Sequence, residues 1–429
     1  MSDHRPLLIR GATLLTMDPD VGDFDRGDVL VDGDRVTAVA AHLDPEGPTE
    51  VLDATGCIVI PGLVDTHRHM WQALLRGCAP DHTLADYFTH VLGVIGPTLT
   101  PRDVHLGTLL SARAALDAGV TTVQDIANIQ DSPEHTDASV EALRESGLRA
   151  VFAYGKSFPA MLSEGSGLPD DVRRVRSDLL PHQDSLVTMA LTAEAGDDGA
   201  ELRNAALARE LGLRTARHVS ADYPVSRLAD LGTLLCGTTF IHGNGLAPHE
   251  LRLIADHGGS LSISPAIERT MGHGHPMFGP AATAGVPVSL STDVEVTTAA
   301  DLFTQMRAAH QIGRATGLTV RDVLAQATIS GARVLGLAGR TGSLTPGKQA
   351  DLVVLRADCI GVAPVHDPYS TVVLQVDRAH VDTVLVAGKV VKRAGRLLAD
   401  STALLDEARA ASCGPAAAGV PAPHPPVRA

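Results

Sequence analysis

The sequence predicts an α/β fold: a (β/α)8 TIM barrel with a small β-sandwich domain formed by the N- and C-terminal flanks. Three observations predict it. Short apolar runs alternate with helix-like stretches through the middle of the chain, the pattern of a parallel sheet with crossover helices. Residues with metal-binding side chains fall at the ends of several of those runs, and barrel strands present their functional residues at their carboxyl ends. The flanks read instead as short strands separated by turns.

Taken in order, residues 1–60 form the first half of the sandwich, with a turn at Asp32-Gly33 and another at Ala54-Thr55-Gly56. The barrel occupies 61–340. Its first strand ends at His67-Arg68-His69, and further strands are expected at 121–125, 150–154, 186–191, 214–218, 238–242, 260–264 and 287–291. Helices are expected between them at 104–118, 139–146, 200–211, 248–257 and 301–313. Strand-like runs return at Asp351-Leu352-Val353-Val354-Leu355 and Thr383-Val384-Leu385-Val386-Ala387, so 341–400 complete the sandwich. Residues 401–429, rich in Ala, Pro and Gly towards the end, are expected to form a flexible tail.

Composition bounds the function. A chain of 429 residues buries a substantial core, and length alone suggests two or three domains. The apolar fraction of 44% and charged fraction of 20% are ordinary for a globular protein. A net charge of −15 speaks against nucleic acid or an anionic membrane as partner, since both demand a basic surface. No apolar stretch reaches the length of a membrane span and the start lacks the layout of a signal peptide, so a cytoplasmic protein is expected. The five cysteines have no C-x-x-C spacing, which indicates neither a disulfide framework nor a cysteine zinc site.

The strongest chemical signal is the H-x-H of His67 and His69. Side chains on a strand alternate with period two, so the two imidazoles point the same way and are able to grip one ion. Three more candidates end strand-like runs: His218 in Thr215-Ala216-Arg217-His218, His242 in Thr239-Phe240-Ile241-His242, and Asp293 in Leu290-Ser291-Thr292-Asp293. Imidazoles plus a carboxylate suit zinc or ferrous iron.

This ordered set resembles the amidohydrolase superfamily, in particular its cytosine-deaminase and chlorohydrolase-like branch, over about residues 8–398. Pro61-Gly62-Leu63-Val64-Asp65-Thr66-His67-Arg68-His69 resembles the family's metal motif, and Leu75-Arg76-Gly77 follows it. Asp28-Val29-Leu30-Val31-Asp32-Gly33 resembles the opening β segment. Ala118-Gly119-Val120-Thr121-Thr122-Val123-Gln124-Asp125 is similar to the second barrel strand, and Gly342-Ser343-Leu344-Thr345-Pro346-Gly347 to the segment that returns to the β domain. The resemblance implies a metal-dependent hydrolase that attacks a C–N bond of a small cyclic or heteroaromatic substrate, in the manner of a deaminase. One divalent ion, zinc before ferrous iron, would be held by His67, His69, His218 and Asp293. Asp293 would also take the proton of the attacking water, and His242 would face substrate or water. The two-metal branches carry a lysine in the fourth strand, where 186–191 has none; Lys156 follows the third, so a mononuclear site is expected. A homo-oligomer acting on a small molecule is the family's usual form.

One departure weighs against ordinary deamination. In this branch a glutamate three residues after the fifth-strand histidine passes a proton to the ring nitrogen, but here Ala221 holds that place. Loss of a general acid costs roughly 10²–10⁴-fold. Asp222, Glu194 and Glu268 are the candidate replacements. Alternatively no acid is needed, as in dehalogenation or when the substrate carries its own proton, or in the opening of a cyclic amide or imine. A reading of another class makes the chain a degenerate barrel that binds or scaffolds.

Other pocket candidates follow from position. Trp71, the single tryptophan, either stacks on a planar substrate or fills the barrel mouth, and Gln72 adjoins it. The second H-x-H, His273-Gly274-His275, lies among glycines and proline, which favours a substrate-facing His273 over a second metal. Asp125 would orient a loop or ligand, Glu295 and Thr297 lie in the eighth loop, and Arg76 or Arg269 would meet an anion.

Overall fold

Two sheets carry the chain in this computed structural model, which describes residues 5–412 other than 164 and 166. The first is the barrel. Its strands run in chain order around the ring, Leu63–Arg68, Val120–Asn128, Arg149–Gly155, Val187–Thr192, Thr215–Val219, Thr239–His242, Ser260–Ile263 and Val288–Leu290. Every neighbouring pair is parallel. The first and last strands meet through a single parallel bridge between Arg68 and Asp293. There the Asp293 N–H donates to the His67 carbonyl at 2.9 Å and the His69 N–H to the Asp293 carbonyl at 3.0 Å.

Below the mouth, Val64, Ile126, Val151, Ala153, Ala190, Ala216 and Ile241 share one apolar cluster drawn from the first six strands. Hydroxyls join the remaining strands: Thr66 Oγ1 lies 2.7 Å from Ser262 Oγ and 2.8 Å from Ser289 Oγ, and Ser264 pairs with Ser291 at 2.7 Å. These buried polar groups are satisfied by one another, as their burial requires.

Crossover helices include Pro101–Asp117, Pro133–Ser146, Asp198–Leu211, Pro248–Asp256 and Leu302–Gly313. Thr100 caps the first of them in a capping box with Asp103, which fixes its start before the expected 104. The helix expected at 139–146 begins at Pro133 instead. Proline is a favoured first helical residue because its missing N–H is unpaired there in any case.

The second sheet unites the flanks. Its order runs Arg396–Leu397, Lys389–Arg393, Val381–Val386, Leu352–Arg356, Cys57–Pro61, Leu7–Leu14, Phe24–Asp32, Arg35–Ala40, with Glu50–Asp53 beside Leu7–Leu14. The two flanks thus form one mixed sheet, joined where Cys57–Pro61 pairs antiparallel to Leu352–Arg356. Gly62 lets the chain pass from this sheet into the barrel: a Cβ there would lie 2.0 Å from Thr121 Oγ1. Arg149 ties sheet to barrel with two hydrogen bonds to the Asp351 carboxylate, at 2.9 and 3.1 Å.

Two segments differ from expectation. Between the first strand and its crossover helix the chain makes helical turns at Met70–Leu75, Leu84–Tyr87 and Phe88–Ile95. Their apolar residues join Ile267, Met271, Val294 and Val296 in a cluster that roofs the last two strands. In the expected tail, Thr402–Ser412 is a helix whose Ala408 packs on Leu74 and Leu106. Leu404, Ala408 and Ala411 recur at helical spacing, which gives that segment a face to bury. Residues 413–429 of the expected tail lie outside the described residues.

Candidate metal centre

Each candidate side chain lies at or just past the carboxyl end of a barrel strand, and the bridge that closes the barrel brings the first and last of them together. His67 and His69 come from the first strand, with Nε2 atoms 3.1 Å apart. Asp293 Oδ1 lies 3.5 Å from His67 Nε2 and 3.7 Å from His69 Nε2. The His218 ring sits 5.1 Å from that of His67 and stacks on that of His69 at 5.6 Å, with planes 4° apart. From the sixth strand His242 Nε2 approaches Asp293 Oδ2 at 3.5 Å. Ligand atoms of His67, His69 and His218 lie within 4.8 Å of one another, as do those of His67, His242 and Asp293.

His242 and Asp293 both hold the left-handed backbone, with φ of +66° and +63°. Neither is glycine, so each position costs strain that the surrounding structure must impose, a mark of functional sites. Burial sets the charges. It pushes the His67 and His242 imidazoles well below their usual range and His69 down to about 3, so all three are neutral. Burial also drives Asp293 up to about 7.

The donor set fits a metal ion. Four bonds of about 2.0–2.1 Å in tetrahedral array place ligand atoms about 3.3 Å apart, and the separations among His67, His69 and Asp293 bracket that figure. Imidazole nitrogens offer lone pairs, those of His67 and His69 kept neutral by burial, and Asp293 offers a carboxylate oxygen.

Outer partners aim these rings. His69 Nδ1 lies 3.0 Å from the Ile126 carbonyl and 2.9 Å from Asn128 Oδ1. His218 Nδ1 lies 2.9 Å from Glu194 Oε1, and His242 Nδ1 lies 3.2 Å from Glu268 Oε1. Glu268 further accepts from the Ser264 N–H at 2.9 Å and from Asn244 Nδ2 at 3.0 Å. Burial nonetheless pushes it up to about 7. Burial also works against the Glu194 carboxylate, but the His218 hydrogen bonds and the nearby Arg217 charge outweigh it and hold it below the usual range.

The remaining sequence candidates are distributed as follows. Trp71 is buried in the roof cluster with its indole N–H on Asn128 Oδ1 at 2.9 Å, so it packs the mouth and offers no free face. Gln72 is buried and donates to the Tyr87 hydroxyl at 2.6 Å. The His273 ring meets that of His242 edge-on at 4.6 Å, while Gly274, at φ +131°, turns the chain so that His275 stays exposed. Those two histidines enter no group of three metal donors among the described residues. Ala221 and Asp222 are exposed, and the Asp222 N–H donates to Ser220 Oγ at 3.2 Å. Asp125 is buried and accepts the Met70 N–H, while the Thr297 hydroxyl donates to the Ala79 carbonyl. Glu295 binds Arg68, Arg76 and Ser111, which commits Arg76 to a structural pair; Arg269 is exposed.

Asn128, Asn244 and Arg68 escaped the sequence reading. Asn128 and Asn244 each lie at or just past the end of an apolar run, as the candidate ligands do, but asparagine carries no metal-ligand signal. Arg68 was hidden by its neighbours.

Comparison with known proteins agrees with the geometry. Residues 58–391 match the model of the Amidohydrolase family. A 5'-deoxyadenosine deaminase of Methanosarcina acetivorans is 29% identical, over 95% of this chain and 97% of that protein. A 5-methylthioadenosine/S-adenosylhomocysteine deaminase of Desulforudis audaxviator is 29% identical, over 91% and 94%. Among solved structures, an adenosine deaminase from Xanthomonas campestris with bound zinc superposes with a TM-score of 0.82 at 25% identity, over 94% of this chain and 97% of that one. Atrazine chlorohydrolase from Arthrobacter aurescens, complexed with zinc, shares the fold at a TM-score of 0.81 and 21% identity, over 94% and 99%.

Proposed function

The chain belongs to the amidohydrolase family, and we propose that it is a deaminase-like hydrolase of a small amino-substituted heterocycle, with one zinc ion held by His67, His69, His218 and Asp293. The observation that carries this reading is the convergence of three imidazoles and one carboxylate at the mouth of a barrel whose relatives are named deaminases. Aminopurine nucleosides such as 5'-deoxyadenosine and 5-methylthioadenosine are the first substrates to try. Ferrous iron is the alternative ion, since the ligand types suit both. The reading includes a homo-oligomer in the cytoplasm; no helix among the described residues is long and apolar enough to cross a membrane.

A divalent ion in this donor set would acidify water from a pKa of about 15.7 towards about 7 and so supply a nucleophile at neutral pH. Asp293 Oδ2, 3.5 Å from His242 Nε2, would take the proton of the attacking water. His242 Nε2 receives the proton and passes it to the leaving nitrogen. Glu268 keeps the other imidazole proton on Nδ1, which leaves Nε2 as the acceptor. His273, edge-on to His242, faces the substrate from the seventh loop.

A second reading is favoured by Ala221. With that position empty of acid, and with Glu194 and Glu268 each bound to a histidine, loss of a halide or another leaving group that departs as an anion remains the rival chemistry. The deciding experiment incubates zinc-loaded protein with aminopurine nucleosides, aminopyrimidines and chlorinated heterocycles. Ammonia release that disappears in Asp293→Asn supports deamination. Chloride release without ammonia moves the reading to dehalogenation, and neither product at saturating metal moves it to a binding protein.

A further inference from the structure

Resting on the metal reading above, we infer that Glu194 is the positioning residue of His218: its carboxylate fixes the imidazole with the proton on Nδ1 and thereby turns the Nε2 lone pair towards the ion. The sequence suggested Glu194 as a proton carrier; the geometry assigns it a different task.

The main-chain ladder between the fourth and fifth strands leads to this arrangement. Leu191 and Thr192 pair with Thr215 and Ala216, and the Ala193 N–H still donates to the Ala216 carbonyl at 3.3 Å. One step further the side chain of Glu194 takes over. Its Oε1 accepts the His218 main-chain N–H at 2.7 Å and lies 2.9 Å from His218 Nδ1. One oxygen therefore fixes both the backbone and the ring of the same residue. A carboxylate only accepts, so the Nδ1 partner must be N–H, and a neutral imidazole protonated at Nδ1 carries its lone pair on Nε2. The ring's stacking on His69 and its edge contact with His67 place it beside the other ligands.

His218 needs this support more than its neighbours do. Its side chain is 36% exposed, against 0% for His67 and 4% for His69, so packing alone holds it less firmly. Its own strand supplies no acidic partner at the next turn, where Ala221 is exposed and its N–H goes to the Asn244 carbonyl at 3.2 Å. Partners of this kind typically change metal affinity by 10–100-fold when removed.

The test uses the full chain, stripped of metal. The ring tautomer of His218 is read from 15N shifts of histidine-labelled protein, assigned with His218→Ala. Zinc affinity is then measured by chelator competition for wild type, Glu194→Ala and Glu194→Gln. The expected results are an Nδ1–H ring in wild type, a shift towards Nε2–H in Glu194→Ala, and zinc bound about 10–100-fold more weakly by that variant. Glu194→Gln retains a carbonyl oxygen for both N–H groups and should restore the Nδ1–H ring. A wild-type ring protonated at Nε2 overturns the inference without any variant, as does wild-type zinc affinity in a folded Glu194→Ala. Wild-type protein that takes up no zinc defeats the metal reading itself, and this inference with it.

Discussion

The Asp293 N–H donates to the His67 carbonyl at 2.9 Å, while Asp293 Oδ1 lies 3.5 Å from His67 Nε2. One pair of residues thus closes the barrel and forms an edge of the candidate metal centre. The link is mechanical as well as chemical, because a shift of the eighth strand against the first moves both candidate ligands. Asp293→Asn keeps the main-chain bond but removes the charge and the proton acceptor. We expect the variant to fold with a similar melting temperature, yet to lose at least about 10²–10⁴-fold in turnover. Turnover within tenfold of wild type would mean that another group takes the proton.

Arg68 stands between the two histidines and turns the opposite way. Its Nη2 donates to Glu295 Oε1 at 3.1 Å and to the Ala300 carbonyl at 2.8 Å, and its Nη1 lies 3.5 Å from Asp65 Oδ2. All three charged side chains are buried. Arg68→Met should leave two carboxylates underpaired and cost about 3–5 kcal/mol in denaturant unfolding of metal-free protein. A cost under about 1 kcal/mol would show that Arg76 and Ser111 suffice to hold Glu295.

These two residues also show what was legible beforehand. The H-x-H announced itself because strand periodicity converts spacing into a shared direction, and barrel geometry converts a strand end into a place at the mouth. His218, His242 and Asp293 followed by the same argument, and they do converge with His67 and His69. The partners that aim the rings were harder to read. Glu194 meets His218 across two strands, and Glu268 reaches His242 from a loop, at sequence separations of 24 and 26. Trp71, whose place after the metal motif suits either stacking on a substrate or filling the barrel mouth, lies buried in the roof cluster. The roof over 70–95 was missed because its apolar residues are completed by Ile267 and Val294, which belong to distant loops.

Glu268 predicts a pH dependence of stability. Burial raises its pKa from 4.5 to about 7 in the folded chain, so between those values the folded state holds a proton that the unfolded state has lost. Stability contributed by this group is therefore present below about pH 4.5 and is lost as pH rises through about 7. Glu268→Gln removes that dependence. In chelated protein the variant should gain on wild type between pH 5 and pH 8 by on the order of 2–3 kcal/mol. A constant difference across that range would place the Glu268 pKa near its ordinary value.

Ala221 permits a test in the direction of gain. If the reaction is a deamination that lacks its usual ring acid, restoring a carboxylate at this position should accelerate it. Ala221 is exposed at the mouth, so a longer side chain need not displace buried neighbours. Its backbone is held by the bond from its N–H to the Asn244 carbonyl, which ties the fifth loop to the sixth. Ala221→Glu should raise ammonia release from aminopurine nucleosides by up to about 10²-fold, the lower end of what a general acid supplies, since the new group lacks evolved support. The gain should appear in kcat and fall away as pH rises through the pKa of the new carboxyl group, because only its protonated form donates, giving a pH dependence that wild type lacks. Unchanged kcat would mean that proton delivery to the ring does not limit the native reaction, because another group already performs it or because the leaving group departs as an anion. Those two cases separate on the product, ammonia in the first and halide in the second.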